Sequence, residues 1–355
     1  MSATLAPGAA GTATLTAGRL PRWTTGAVLA ICLVASVIFF VAGGSFGVIR
    51  VLVVSVLLFA IVMVALSARV EGSRKAKDRL ATITVTSAFG LALLPLISLV
   101  ISVVGRGVDR FDGTFFTFSM RSVVGEGGGA VHAITGTLWV TGIATLISVP
   151  IGLLAAIYLV EYGRGRLARS ITFFVDVMTG IPSIVAGLFA YALFVIFFGP
   201  GTKSGLAGAV ALSVLMIPVV VRSVEELLKI VPNELREASL ALGVPKWLTI
   251  TKIVLPTALA GIVTGVMLAI ARVIGETAPL LIASGFTQSL NNSPVDGPMM
   301  TLPVFVYRSY VDQGNPAQAY IDRAWAGALT LVIIVMVLNL AGRLIATRFA
   351  PKTGR

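Results

Sequence analysis

Eight continuous apolar stretches, each long enough to cross the roughly 30 Å of bilayer hydrocarbon as a helix of about 20 residues, leave this chain few possible fates. They lie near residues 24–43, 47–67, 80–104, 131–160, 170–198, 205–230, 253–284 and 325–346. The runs do not alternate as barrel strands would, and a helix satisfies its own backbone where there is no water. The reading is an all-α polytopic membrane protein with about eight transmembrane helices. Composition agrees: 57% of the 355 residues are hydrophobic and 12% are charged, against about 25% charged in a soluble domain. A formal net charge of +12 comes without a basic stripe interleaved with aromatics, so lipid is the expected partner and nucleic acid is not. The single cysteine, Cys32, lies inside an apolar run, which excludes an intrachain disulfide and reads as a small core residue.

Basic residues set the expected orientation. With a cytoplasmic N-terminus, 19 of the 27 Lys and Arg fall in inside segments, among them Arg69, Arg74, Lys75, Lys77, Arg79, Lys352 and Arg355. Seven fall outside (Arg50, Arg106, Arg110, Arg121, Lys203, Arg308 and Arg323), and Arg272 alone lies within a span. The positive-inside rule therefore places both termini in the cytoplasm. Residues 1–18, rich in Ala, Thr and Gly, read as a disordered stretch within a cytoplasmic tail over 1–23, and residues 347–355 form a second cytoplasmic tail. The first apolar run is longer than the core of a secretory signal and reads as an uncleaved anchor. Two long outer loops, 105–130 with Gly127, Gly128 and Gly129, and 285–324, suit contact with a soluble partner or serve as plain connectors.

Between the sixth and seventh spans, residues 231–252 predict a short helix at the membrane surface. Pro232 and Asn233 start it, Glu234 and Glu237 sit near its positive end, and Gly243 ends it. Leu235, Ala238 and Leu242 give it an apolar stripe, leaving Arg236 and Glu237 for a polar partner. Such a helix could also simply rest on lipid. In the seventh span, Arg272 lies about 24 Å of helix beyond Pro256, deep in the bilayer. A lone charge there costs at least about 2.5–3.5 kcal/mol, and Glu276, four residues on, is expected on the same helical face. The pair either fixes packing or lines a route on which the arginine's planar donors meet an oxyanion.

These residues carry a resemblance. Glu237, Ala238, Ser239, Gly243, Ile253, Leu255 and Pro256 match the loop pattern of permease subunits of ATP-binding-cassette importers, with Ser239 in place of the second Ala. In that family the loop is a coupling helix seated on a cytoplasmic ATPase, so the resemblance implies ATPase coupling for Glu237, Ala238, Ser239, Gly243 and Pro256. Arg272, Gly275, Glu276, Thr277, Ala278, Pro279 and Leu280 further resemble the phosphate-specific branch. The segments at 127–137, 157–163, 182–189, 218–226 and 324–328 look like the PstA type of subunit rather than its PstC partner. The likeness runs from about residue 125 to 345 and leaves out the first two spans, which look additional to a six-span core.

What the resemblance implies is a type I importer permease core over 131–346, with the coupling loop at 231–256. It is preceded by two additional helices over 24–67 and by a basic loop, third span and outer loop over 68–130. Expected partners are a second permease subunit of the PstC type, a cytoplasmic ATPase dimer of the PstB type and an extracytoplasmic phosphate-binding protein of the PstS type. The expected setting is a bacterial or archaeal cell membrane, and no cofactor is implied. Arg272, Glu276 and Thr277 are carried over as substrate-path residues, joined by Arg222 at the inner end of the sixth span and Asp176 in the fifth. Arg222 also reads as a topology residue, and Asp176 either meets a basic residue from another helix or marks a helix N-terminus. His132, the only histidine, has no assigned role.

Residues 199–204 superficially resemble a phosphate-binding loop, but Thr202 stands where the pattern needs Gly before Lys203. ATP hydrolysis is therefore expected on another chain, and one histidine cannot supply a zinc site or a Ser/His/Asp set. A permease for molybdate or sulfate would keep the coupling loop but lack the 272–277 pattern. A stand-alone secondary transporter or channel would need no ATPase, and a membrane enzyme would need clustered catalytic residues.

Overall fold

A computed structural model describes residues 18–44 and 46–349. Nearly all of the expected N-terminal disordered stretch and most of the C-terminal tail, including Lys352 and Arg355, lie outside the described residues. The described chain is helical, with no strand among the described residues. It divides into two compact units between Val100 and Ile101.

The first unit holds α1 (Arg22–Ala42), α2 (Val48–Val70) and most of α3 (Ser73–Gly107). The expected basic loop is a two-residue turn, because Arg74, Lys75, Lys77 and Arg79 already belong to the first turns of α3. What organises the turn is Glu71, which the basic count passed over. Its carboxylate accepts from Arg79 Nε at 2.7 Å and Nη2 at 3.1 Å, from Ser67 Oγ at 2.9 Å and from the Leu20 amide at 3.1 Å. Paired chiefly with the Arg79 guanidinium, the Glu71 carboxyl is held down at about 2. These contacts tie both ends of the α1–α2 pair to the start of α3.

The second unit is built on α5 (Val131–Ile157) and α8 (Gly205–Ile230), which pack along their lengths. Small residues allow this: Ala144 and Ala209 are fully buried in one core cluster, and a side chain on Gly152 would run into Val220 of α8. The expected fifth span is broken. Polar-faced α6 (Arg166–Thr179) and apolar α7 (Ser183–Phe198) meet at 110° across residues 180–182, where Pro182 lacks an N–H and disfavours a helical Ile181. Among the described residues seven helices are long and apolar enough to cross a membrane, or eight if α6 and α7 together make one span.

The segment expected to couple forms α9 (Asn233–Ala241) and α10 (Lys246–Thr249), and α10 continues through a wide turn at 250–254 into α11 (Leu255–Val273). Pro256 accounts for that turn: it supplies no N–H at the head of α11, and the Leu255 amide reaches back to Ile250 O. The expected seventh span is broken as well. Helix α11 stops at Val273, and the short α12 (Ala278–Ala283) follows after residues 274–277.

The two segments expected outside hold helices rather than plain loops. The 105–130 stretch contains α4 (Gly113–Thr117), while 285–324 contains α13 (Leu302–Val311) and the first turns of α14 (Ala317–Phe349). Residues 299–302 are buried, with Ser284 Oγ donating to Met299 O at 2.6 Å and the Leu302 amide donating to Thr137 Oγ1 at 2.7 Å.

Candidate functional site

Arg272 lies in the last turn of α11 and Glu276 lies beyond its end, so they do not share a helical face as the spacing suggested. Gly275 and the Pro279 that follows interrupt the helix between them and α12. Both still line one cavity of about 250 Å³, with Met178 and Thr179 from α6, Ser183 from α7, and Leu215, Pro218 and Val219 from α8. Those α8 positions are near the middle of its 26 residues, so the cavity sits at mid-depth of a helix long enough to span. Among the described residues Arg272 has no acidic partner, and its side chain is exposed at the surface of the chain. An exposed, unpaired guanidinium at that depth is untenable against lipid, so this face requires a polar partner or an aqueous path. Thr277 is separated from this group and borders a different cavity of about 390 Å³ with Pro303, Tyr307, Tyr310 and Trp325.

Asp176 on α6 meets Arg222 on α8, the basic residue from another helix that the sequence left open. Arg222 Nη1 also reaches Glu225 Oε2 at 2.8 Å, and Glu225 Oε1 accepts from Lys229 at 2.7 Å. This network lies about one helical turn past Val219 toward the α9 end of α8 and outside the lining of the Arg272 cavity.

In the coupling segment Gly243 has φ +78°, where other residues are strained, and the Val244 amide closes back on Ser239 O at 3.3 Å. Ser239 is buried and shares a hydrogen bond of 2.9 Å with Thr249, tying α9 to α10. Glu237 and Ala238 are exposed, as are Leu235, Leu240 and Trp247, and Leu242 is 84% exposed. Arg236 is not available to a partner, contrary to expectation. It donates to Glu161 Oε1 at 2.9–3.0 Å and to the carbonyls of Val231 and Leu228 at 2.6 and 2.9 Å. Arg236 thereby caps the last turn of α8 and fastens α9 to the end of α5. Lys246 adds a contact to the Glu161 carbonyl and lies over the Tyr162 ring. Glu161 gave no signal in the sequence beyond its place in the 157–163 segment.

Arg323, counted as an outer-loop charge, is instead a buried residue of α14, 1% exposed. The glycine-rich part of the 105–130 stretch wraps it, offering the carbonyls of Gly125 and Gly127 at 2.8 and 3.0 Å. His132 is buried against Phe305, and neither ring nitrogen has a partner among the described residues.

Long apolar helices, a sharply bent helix pair, an exposed short helix and, among the described residues, a mid-depth arginine without an acidic partner define a polytopic membrane protein. Residues 148–355 match the family described as binding-protein-dependent transport system inner membrane component. The phosphate transport system permease protein PstA 1 of Mycobacterium tuberculosis (strain ATCC 25618 / H37Rv) is 48% identical over 283 residues, 78% of this chain and 90% of that protein. PstA of Yersinia pestis is 38% identical over 79% of this chain and 92% of that protein. A chain of a bacterial alginate ABC transporter, solved with a pentasaccharide-bound periplasmic protein, superposes with a TM-score of 0.56 at 14% identity. That superposition covers 79% of this chain and 97% of that one, and it bears on the fold alone. The chain belongs to the family of inner membrane components of binding-protein-dependent transport systems, in its PstA-type branch. A match over 78% of the chain cannot fit between residues 125 and 345, so the likeness also takes in the third span.

Proposed function

We propose that this chain is one of two permease subunits of an ATP-driven inorganic phosphate importer. The observation that carries the reading is the unpaired Arg272 in a cavity at mid-depth, beside Glu276. An anion leaving water loses hydration worth many kcal/mol, and a fixed guanidinium returns part of it through charge-assisted hydrogen bonds. A second permease of the PstC type packed on this face would close the cavity into a path. Thr277 lines its outer approach, and the Arg222–Asp176 pair acts as an inner gate that must part for release. The names of the relatives speak for phosphate over molybdate or sulfate, and family membership speaks against a stand-alone transporter. Both termini face the cytoplasm if α6 and α7 make one span, and α9 then docks on a PstB-type ATPase dimer. A PstS-type binding protein delivers phosphate to the opposite end.

The docking part is tested on the coupling helix. Leu242 is exposed, so Leu242→Asp should leave folding intact while placing a charge in an apolar contact. Co-purification of the ATPase is expected to fall at least tenfold at unchanged membrane levels. Undiminished co-purification with both Leu242→Asp and Gly243→Val would remove α9 from the ATPase interface.

A further inference from the structure

Arg323 is almost wholly buried, yet only one of its terminal nitrogens is used. Nη1 donates to Gly125 O and Gly127 O, while Nε and Nη2 have no partner among the described residues. Nε and Nη2 form one edge of the guanidinium, two parallel N–H groups spaced to hold two oxygens of a carboxylate or phosphate. Leaving two charged donors unmet in a buried position is costly, and buried polar groups ordinarily have partners.

The side chain borders a cavity of about 130 Å³ that is distinct from the Arg272 cavity. Its other polar lining is Gln288, Arg308, Ser309, Asp312 and Tyr320. Arg308 Nη2 is paired with Asp312 Oδ2 at 2.8 Å and its guanidinium stacks on Phe286 at 3.8 Å, so these two charges offset each other. The Tyr320 ring lies 4.3 Å from the Arg323 guanidinium. Among the described residues no carboxylate pairs with Arg323, whose positive charge lies over the Tyr320 ring, and the rest of the polar lining besides the Arg308–Asp312 pair is amide and hydroxyl groups. The site is at the far end of the permease from α9. Arg343, twenty residues further along α14, borders a groove with Ala260 and Gly261 at the start of α11, and the intervening helix spans about 30 Å.

We propose that the Arg323 cavity is a second anion site, taking a small tetrahedral oxyanion at the entrance end of the permease before it reaches Arg272. This rests on the reading of the chain as a phosphate permease and adds a separate station to it. Inorganic phosphate would accept from Arg323 Nε and Nη2, with Gln288, Ser309 and Tyr320 meeting its remaining oxygens. Phosphate that keeps a proton at neutral pH can donate to Asp312, whereas a fully deprotonated anion would be repelled by it.

The test is equilibrium binding of radiolabelled inorganic phosphate to the purified full-length chain in lipid nanodiscs, in an Arg272→Gln background that disables the mid-depth cavity. Saturable binding is expected there, weakened at least tenfold by Arg323→Gln. Because Arg323→Gln also removes the clasp on Gly125 and Gly127, Gln288→Glu is the second variant. It is isosteric, lies at an exposed position and puts a negative charge in the lining, and it should weaken binding by a similar factor. Absence of binding in the Arg272→Gln background, or binding unchanged by Gln288→Glu, would overturn the site. ATP-driven phosphate uptake by the unsubstituted complex is scored separately, so loss of this site and failure of the phosphate reading give different results.

Discussion

Arg272→Gln is expected to lower phosphate uptake by at least tenfold while the chain still assembles with its partner subunits. Glutamine keeps hydrogen-bonding capacity but supplies no charge, and a charge-assisted hydrogen bond to a desolvated anion contributes about 1.5–3 kcal/mol. The double variant Arg272→Gln with Glu276→Gln separates transport from packing. Were the two residues an ion pair that only holds helices together, removing both charges would restore function, since no unpaired buried charge would remain. The structure argues otherwise: the helix ends between them, and no ion pair joins them. The double variant should therefore assemble and still fail to move phosphate. Near-normal uptake by it, at matched membrane levels, would reduce Arg272 to a packing residue.

Breaking the Arg236–Glu161 contact should have the second large effect, and of a different kind. Both side chains are largely buried, with Arg236 15% and Glu161 6% exposed. Arg236→Ala strands the Glu161 carboxylate and uncaps the last turn of α8, a change of about 3–5 kcal/mol when one member of a buried pair is removed. If α9 docks on the ATPase as proposed, its movement would reach the ends of α5 and α8 through this arginine as well as passing through α10 into α11. With Arg236→Ala, ATP hydrolysis should continue while phosphate moved per ATP falls at least fivefold, and hydrogen exchange should accelerate over residues 228–243. Unchanged exchange together with unchanged stoichiometry would show that α11 alone carries the motion.

How far the sequence disclosed this arrangement can be judged at particular residues. Apolar length located the long helices, since crossing hydrocarbon demands it, and the run from Glu237 to Pro256 was legible because a φ of +78° at Gly243 and a missing N–H at Pro256 are built into residue type. Hydropathy could not show the breaks after Thr179 and Val273, because an apolar run reads the same whether its backbone is straight or turned. The signals were local: Gly180 and Pro182 in one case, Gly275 and Pro279 in the other. Missing the second break is what placed Glu276 on the face of Arg272. Charge counting treats every arginine as solvated, so it could not separate exposed Arg343 from buried Arg323, nor see that Glu71 and Glu161 collect basic residues brought near by folding. Ion pairs such as Arg222–Asp176, 46 residues apart, depend on how α6 lies against α8.

On the proposed reading, this chain helps move phosphate inward at the expense of ATP. The most direct test of that reading is accumulation of radiolabelled phosphate in sealed proteoliposomes holding this permease, its second permease and the ATPase, supplied with binding protein on one side and ATP on the other. The account predicts accumulation against a gradient that needs both ATP and the binding protein and that sulfate in excess does not compete away. Uptake that proceeds equally without ATP, or that sulfate or molybdate abolishes at equal concentration, would contradict it.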